Sequence, residues 1–198
     1  LNGKDFATQT SSAEPVLAST VTGSPALAVT NVTGVLPVGV TGVSLYSAIA
    51  IICEQQVSST QGGTFTSGSW VTRTLNTEVS DVDSIVTLSS NQFTLINGTY
   101  TIEWHAPALR CGHHVAKLVE TQTPTDKGFG QAMMTNTGDS HSSSPSSGTA
   151  VVTVSSSSNN TFEIQHQCSS TRATYGLGHY HDFGVVIQTQ VKIFKHRN

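Results

Sequence analysis

The sequence has few charged residues and no cluster of basic ones. Only 11% of its 198 residues are charged, and the formal net charge is -3. Proteins that bind nucleic acid or an anionic membrane surface present clustered lysine and arginine, so neither partner is expected here. The sequence also lacks a run of about 18 apolar residues, the length that a membrane-spanning helix requires. Membrane insertion is therefore not expected.

Cysteine is scarce as well. The three cysteines, Cys53, Cys111 and Cys168, have no CxxC spacing. An odd number of cysteines without that spacing indicates neither a zinc site nor a disulfide framework. We expect buried free thiols, and their presence favours synthesis in a reducing cytosol.

Amphipathic helical patterns are absent too, whereas serine, threonine and valine are abundant, a composition that favours strands. From Leu45 onward, strand-like runs alternate with turn signals, the pattern of an all-β sandwich or barrel. Asn97-Gly98 is a strong hairpin signal, and the segments 125–130 and 142–148 are predicted to be turns. The predicted strands are 45–55, 69–76, 84–88, 92–95, 99–106, 113–120, 149–155, 160–167 and 184–195.

Residues 1–44 differ from the rest of the chain. They hold one aromatic residue, Phe6, and repeat short units rich in valine and threonine, as in VTGSPALAVTNVTGVLPVGVTGVS. Such a segment cannot bury enough apolar surface to fold alone as a globule. The sequence therefore predicts an extended stalk or linker over 1–44 and a head domain over 45–198.

The first strand of the head is apolar on both faces, and the last strand behaves similarly. The faces of the first strand consist of Leu45, Ile49, Ile51 and Cys53 on one side and Tyr46, Ala48, Ala50 and Ile52 on the other. A two-sheet sandwich buries only one face of each strand. The second apolar face needs another cover, and a second copy of the same chain is the economical one. This pattern predicts a head that associates with itself.

Three blocks of the head carry a resemblance to a known family. The blocks are GGTFTSGSWVTRTLNTEVSD (62–81), LSSNQFTLINGTYTIEWHAPA (88–108) and TFEIQHQCSSTRATYGLG (161–178). They resemble the head domain at the ends of phage and other viral tail-fibre proteins. That head is similar to the trimeric jelly roll shared by the complement recognition subunit and tumour necrosis factor. The resemblance covers roughly residues 45–198.

The resemblance implies an all-β, two-sheet jelly-roll sandwich that forms a homotrimeric head behind an extended stalk. In that fold the first and last strands are neighbours and pack against the three-fold axis. We therefore expect the trimer interface to include Tyr46, Ala48, Ala50, Ile52 and Phe194. The stalk is similar to the repeats that precede fibre tips, and it lacks the collagen repeats of the complement relatives. This difference favours a virion protein, made in the host cytoplasm, over a secreted animal protein.

The pair His179 and His181, in GLGHYHDFG (176–184), allows three interpretations. A cupin-type metalloenzyme needs a nearby glutamate and a third histidine, and only two ligands are visible here. A metal clip would join His179 and His181 of three chains into six imidazoles around an axial transition-metal ion. The third interpretation is a polar loop, with the rings stacked on Tyr180 or Phe183 and hydrogen-bonded nearby. No other cofactor is expected.

Two further polar residues are predicted to be structural. His166 lies on the apolar face of its strand, beside Phe162 and Ile164, and is expected to be buried and hydrogen-bonded. Arg73 is expected to be packed and bonded to backbone, or to form a salt bridge between subunits.

Host contact is expected on long loops at the far end of the head, because a rigid sandwich presents its variable loops there. The predicted contact loops are 125–148 and 169–182. Aromatic side chains within them are suited to stacking on sugar, and polar ones to hydrogen bonding. The candidate receptor-binding residues are Asp126, Phe129, Asn136, Asp139, His141, Tyr175 and Tyr180.

These observations predict a tail-fibre or spike tip that binds a host surface glycan or protein as a trimer. Its stalk would attach to other tail or capsid proteins of the virion. Two alternatives share the sandwich: a structural capsid decoration or fibre-assembly protein, and a carbohydrate-binding module. No catalytic residues are predicted, because a depolymerase needs paired carboxylates in a groove and the closest pair, Asp81 and Asp83, lies in a predicted turn.

Overall fold

A computed structural model describes residues 44–138, 142–156 and 159–197. The predicted stalk, 1–44, lies outside these residues except for Ser44, so the division into stalk and head stays a prediction. None of the described residues is helical, and among them no helix could span a membrane. The strands are β1 (Tyr46–Gln56), β2 (Val71–Thr72), β3 (Thr77–Asp81), β4 (Val86–Ser89), β5 (Gln92–Leu95), β6 (Gly98–Leu109), β7 (Gly112–Glu120), β8 (Thr125–Phe129), β9 (Met133–Thr135), β10 (Ser143–Val154), β11 (Thr161–Cys168) and β12 (Val186–His196).

The strands form two antiparallel sheets packed into a sandwich. The five-stranded sheet has the order β10-β6-β12-β1-β3. The seven-stranded sheet has the order β4-β5-β11-β7-β8, with β2 paired to β11 and β9 paired to β7. From β5 to β12 the chain crosses repeatedly between the sheets, which is the connectivity of a jelly roll. The first and last strands are neighbours, as the resemblance implied.

Along the strands, alternate side chains point into the core between the two sheets. In β6, Tyr100, Ile102 and Trp104 are buried, while Thr101 and Glu103 remain partly exposed. β11 contributes its own alternate residues to the same core from the opposite sheet. The predicted half-buried strands are therefore confirmed, because one face of each strand packs against the other sheet.

Two predicted turns are strands in the structure. The segment 125–130 contains β8, which pairs with β7 through Lys117 and Phe129. The segment 142–148 forms the first half of β10, where Pro145 pairs with Pro107. Proline and glycine are tolerated there because β10 is the edge strand of its sheet and makes ladder hydrogen bonds on one side only. β3 and β9 were not predicted either.

The loops gather at the two ends of the sandwich. Ser44 lies at the end where Gly98 pairs with Val154 and where β12 finishes. At the opposite end, Leu109 pairs with Ser143 and donates its N–H to the carbonyl of Gly176. We call this second end the distal end. It carries the segments 57–69, 110–111, 136–138 and 169–185.

Candidate functional site

Three of the predicted interface residues lie inside the head. Ala48, Ala50 and Ile52 are buried in the core between the two sheets. A side chain that its own chain already covers offers no surface to a neighbouring copy. The prediction was therefore wrong for these three residues.

A β-bulge explains the error. The pairing of β1 with β12 shifts register between Tyr46 and Ala48, so the two side chains point to opposite faces instead of sharing one. Tyr46 lies on the outer face of the five-stranded sheet, with its ring 5.1 Å from the ring of Phe194. Tyr46 and Phe194 are therefore accessible in the single chain.

The outer face of the five-stranded sheet is apolar across several strands. Phe194 pairs with Ile49 on one side and with Thr101 on the other, and Thr101 pairs with Val151. Ile49 is 47% exposed and Val151 is 63% exposed. We call the surface formed by Tyr46, Ile49, Val151 and Phe194 the outer apolar face. The sequence pattern correctly predicted that β1 has a second apolar face. Most of the predicted interface residues of β1, however, lie on its inner face.

His179 and His181 lie in the loop before β12. His179 Nδ1 is 2.7 Å from the carbonyl oxygen of Tyr180, and the two rings stack with centroids 4.9 Å apart. His181 Nδ1 accepts the N–H of Phe183 at 3.2 Å, and these rings stack as well. This is the arrangement that the polar-loop interpretation predicts. In the described part of the chain, no group of three or more His, Cys, Asp or Glu could hold a metal ion.

Arg110 joins two loops at the distal end. Its guanidinium donates to the Tyr175 hydroxyl at 3.2 Å and to the carbonyl of Gly138 at 3.4 Å. Asn136 accepts the N–H of Gly138 at 2.8 Å, so its side chain closes the turn. The loop predicted at 169–182 is therefore held against the turn at 136–138. Asp139 and His141 lie outside the described residues.

Tyr175 and Tyr180 are placed differently within the distal end. The guanidinium of Arg172 covers one face of the Tyr175 ring, 4.5 Å from its centroid, and also donates to its hydroxyl. Tyr180 is exposed and stacks only on His179. Of the two predicted aromatic contacts, Tyr180 presents the more open ring.

Asp126 and Phe129 meet two residues that the sequence reasoning missed. Lys117 Nζ is 2.7 Å from Asp126 Oδ1 and 4.2 Å from the centroid of the Trp70 ring. Phe129 is 57% exposed, and its ring centroid is 6.1 Å from that of Trp70. We call Trp70, Lys117, Asp126 and Phe129 the flank cluster. The register of β7 with β8 brings Lys117, Asp126 and Phe129 together, and the pairing of β2 with β11 places Trp70 beside them. The sequence carries no local signal for either pairing.

An open cavity of about 510 Å³ adjoins Phe129. Its lining comes from β6, from β10 and from the segment that follows β8. Gln131 donates its N–H to the carbonyl of Ser147 at 2.7 Å, which fixes that segment against the edge strand. A second cavity, of about 460 Å³, lies beside His113 and Met133 on the other sheet.

A buried arginine anchors the distal end to the core. The Arg73 side chain donates to Thr189 Oγ1 and to the carbonyl of Leu177, both at 2.7 Å, and lies 3.4 Å from Glu54 Oε2. Burial lowers the pKa of Arg73 to about 10 and raises the pKa of Glu54, and the opposite charge of each partner counteracts these shifts. The predicted packed arginine, bonded to backbone, is confirmed.

Two histidines lie next to this arginine in the core. His166 Nε2 is 3.0 Å from His114 Nδ1, and His114 Nε2 is 3.0 Å from Ser144 Oγ. Burial, and secondly the charge of Arg73, lower the pKa of His166 to about 2 and that of His114 to about 4. Both rings are therefore neutral at pH 7, and the predicted buried, hydrogen-bonded His166 is confirmed.

The three cysteines are buried and free, as predicted. Burial raises the pKa of all three thiols, that of Cys168 to about 12. The thiolate is the nucleophilic form of cysteine, so these side chains are unreactive at neutral pH.

No protein-family model and no curated protein matches the chain. Among solved structures, the globular domain of zebrafish complement 1qA is 16% identical, with a TM-score of 0.45, and the match covers 76% of this chain and 99% of that one. The vertex protein P5 of PRD1 is 10% identical, with a TM-score of 0.48 and coverages of 77% and 99%. The Eiger TNF of S. frugiperda is 9% identical, with a TM-score of 0.49 and coverages of 76% and 92%. None of the three is named as an enzyme, and similarity this distant does not assign the chain to a family.

Proposed function

We propose that the chain is the tip of a viral tail fibre or surface spike, which binds a host surface glycan as a homotrimer. The observation that carries the proposal is the outer apolar face. This surface extends over β1, β12 and the edge strand β10 on one side of the five-stranded sheet. Thr101 lies between Phe194 and Val151 on this face, and exposed apolar side chains grouped on one face of a sheet indicate a protein interface.

The position of the chain entry supports an attachment role. Ser44, to which residues 1–43 are joined, lies at the end opposite the distal loops. Three linked heads gain avidity by presenting three weak sites together, so each site needs only modest affinity.

The surfaces proposed for host contact are the distal loop 169–182 and the flank cluster. Tyr180 is exposed on the first, and Phe129 on the second. Because much of the segment 125–148 forms strands, the contact loop predicted there is replaced by the flank cluster on the side of the sandwich. Binding is proposed rather than turnover.

Host-cell binding by the purified chain tests the proposal. The intact protein should bind host cells, and removal of surface glycans by periodate oxidation should abolish that binding. Protein with the loop 179–183 replaced by a glycine–serine linker should keep its oligomeric state and bind more weakly. An intact trimer that binds no host cells would contradict attachment and favour a structural role in the virion.

A further inference from the structure

We propose that the open cavity between Phe129 and Thr149 is a binding site for a single sugar ring. This proposal rests on the proposed function in taking the ligand to be a glycan, and it assigns that glycan to one site. We call the site, formed by Trp104, His105, Phe129, Gln131, Ser147 and Thr149, the flank cavity. It opens at β10, the edge strand farthest from β1 in the order of the sheet.

An indole with an unpaired donor lies beneath the cavity. Trp104 is 0% exposed, and its Nε1 has no hydrogen-bond partner among the described residues. A buried donor left without an acceptor costs about 1–3 kcal/mol. Trp104 is one of the residues that line the cavity, so a ligand oxygen that reaches its Nε1 would recover that cost.

Glycines leave the indole edge without a covering side chain. A Cβ on Gly148 would lie 2.5 Å from Trp104 Cε2, the carbon bonded to Nε1, and 2.2 Å from Cζ2. The same Cβ would lie 2.8 Å from the Cα of Gly130. Gly148 of β10 thus packs directly on the indole, with Gly130 beside it, at positions that carry no side chain.

Phe129 supplies a fixed aromatic wall. Its ring is exposed, yet Trp70 supports it edge-on, and the Lys117 ammonium lies over the Trp70 ring. The ion pair with Asp126 holds Lys117 in place. A ring that is exposed and already positioned loses little conformational freedom on binding. Aromatic faces of this kind suit the apolar face of a pyranose.

The rim of the cavity is polar and fixed. His105 Nδ1 is 2.8 Å from Ser147 Oγ, and both side chains line the cavity. Gln131 and Thr149 add an amide and a hydroxyl. These groups offer both donors and acceptors, as the hydroxyls around a sugar ring require.

The buried Trp104 donor, the exposed Phe129 ring and the polar rim together favour a neutral sugar over other small ligands. A phosphate would need a free cation, whereas the charged side chain that lines the cavity is the Glu103 carboxylate and the nearby Lys117 is paired with Asp126. A purely apolar ligand would leave the buried Nε1–H of Trp104 unpaired. The cavity volume of about 510 Å³ lies within the range of roughly 300–1,000 Å³ for small-molecule sites.

The chain contains two tryptophans: Trp104 lines the flank cavity, and Trp70 supports its Phe129 wall. The indole N–H signals in a ¹H–¹⁵N NMR spectrum of the full chain therefore report on the flank cavity and its support. The probes are glucose, galactose, mannose and N-acetylglucosamine, each titrated to high millimolar concentration, with inorganic phosphate as the comparison. We expect at least one sugar to shift the Trp104 signal saturably and phosphate to leave it unchanged.

Two matched variants locate the binding. Phe129→Ala should weaken the binding of that sugar about tenfold or more, the equivalent of about 1.4 kcal/mol. Val82→Ala removes another exposed apolar side chain, which is 90% exposed between β3 and β4, and should change the affinity by less than about twofold. Unchanged backbone signals elsewhere show that both variants remain folded.

The outcomes separate this proposal from the proposed function. A Trp104 signal that none of the four sugars shifts overturns the flank cavity as a sugar site, even if the protein binds host cells. A saturable shift that Phe129→Ala leaves intact also overturns it. A shift that Phe129→Ala weakens supports the site even if the protein fails to bind host cells, in which case host attachment alone is contradicted.

Discussion

Neutral His114 and His166 beside a charged Arg73 make the core sensitive to acid. A neutral His166 that donates from Nε2 to His114 Nδ1 leaves its own Nδ1 as a bare acceptor, in agreement with the unpartnered Nδ1 of that ring. Protonating that Nδ1 would place a donor without an acceptor, and a positive charge, near Arg73. His114 and His166 therefore resist protonation as long as Arg73, which anchors the distal end, stays charged beside them.

Acidification should destabilise the protein below the usual pKa of histidine. The folded pKa values of His114 and His166, about 4 and about 2, lie below the unfolded value of 6.5. The stability that these residues contribute is therefore fully present above pH 6.5 and is lost as the pH falls from 6.5 toward 4, since the unfolded state binds more protons. We expect a loss of about 2 kcal/mol between pH 6.5 and 5.5 from the two groups together, measured by urea unfolding.

Substitution of one histidine should reduce this pH dependence. His114→Asn removes one of the two titrating groups, so the loss attributed to the pair should fall by about half. His113→Gln, at the exposed neighbouring position, should leave the pH dependence unchanged. Equal slopes in all three proteins would contradict the assignment to the buried pair.

Removal of the buried guanidinium should be costly. Arg73→Met leaves Glu54 buried beside Thr189 without its cation and leaves the Leu177 carbonyl without its donor. Breaking a buried ion pair from one side costs about 3–5 kcal/mol, which should appear as a lower urea midpoint. Glu54→Gln in the same chain should restore part of the loss. A single variant as stable as the native protein would show that the arginine does not hold the distal end.

At the level of single strands, the local sequence pattern predicted the position of most strands. It did not predict the features that depend on which strands pair and in which register. The strand at 92–95 was predicted with its observed bounds, because alternation and the Asn97-Gly98 turn act locally. β8 looked like a turn because of Gly128 within it and Gly130 just after it. These glycines are explained by close packing on Ala150 and Trp104 and on Ser146, residues distant in sequence. The β-bulge at the start of β1 places Tyr46 on the opposite face from Ala48, and no local sequence signal marks this bulge. The flank cluster was missed for the same reason, because strands far apart in sequence bring it together.

Glycine at position 148 of β10 is required by packing on β6. Gly148→Ala would place a Cβ within 2.2 Å of Trp104 Cζ2, and overpacking of this kind costs about 1–3 kcal/mol. Gly128→Ala is the matched control, since its Cβ would meet Ala150 Cβ at 3.1 Å. We expect a clearly lower urea midpoint for the first variant and a smaller change for the second. The reverse order would contradict the observed packing of β10 on Trp104.

At the scale of the whole molecule, two surfaces have separate proposed roles. The outer apolar face is assigned to contact between copies, and the distal loops with the flank cluster to contact with the host. The flank cavity opens at β10, the edge strand that also carries Val151 of the outer apolar face. The two proposed roles therefore require that copies of the chain meet around β1 and β12 while the flank cavity stays open.

A charge on the outer apolar face should dissociate the assembly. Phe194→Lys places an ammonium on the surface that copies are proposed to bury, where an unpaired charge is strongly unfavourable. We expect self-association to weaken about a hundredfold or more. Val57→Asp, an exposed apolar position at the distal end, should leave self-association unchanged. Sedimentation velocity of both variants measures the difference, and equal behaviour would contradict the assigned interface.

The mass of the native assembly shows directly whether the head is a trimer. Native mass spectrometry of the purified chain should give three times the 20.8 kDa of one copy. A trimer that becomes monomeric with Phe194→Lys would agree with both the assembly and its interface. A stable monomer at micromolar concentration would leave the outer apolar face without a partner and would contradict the trimeric head.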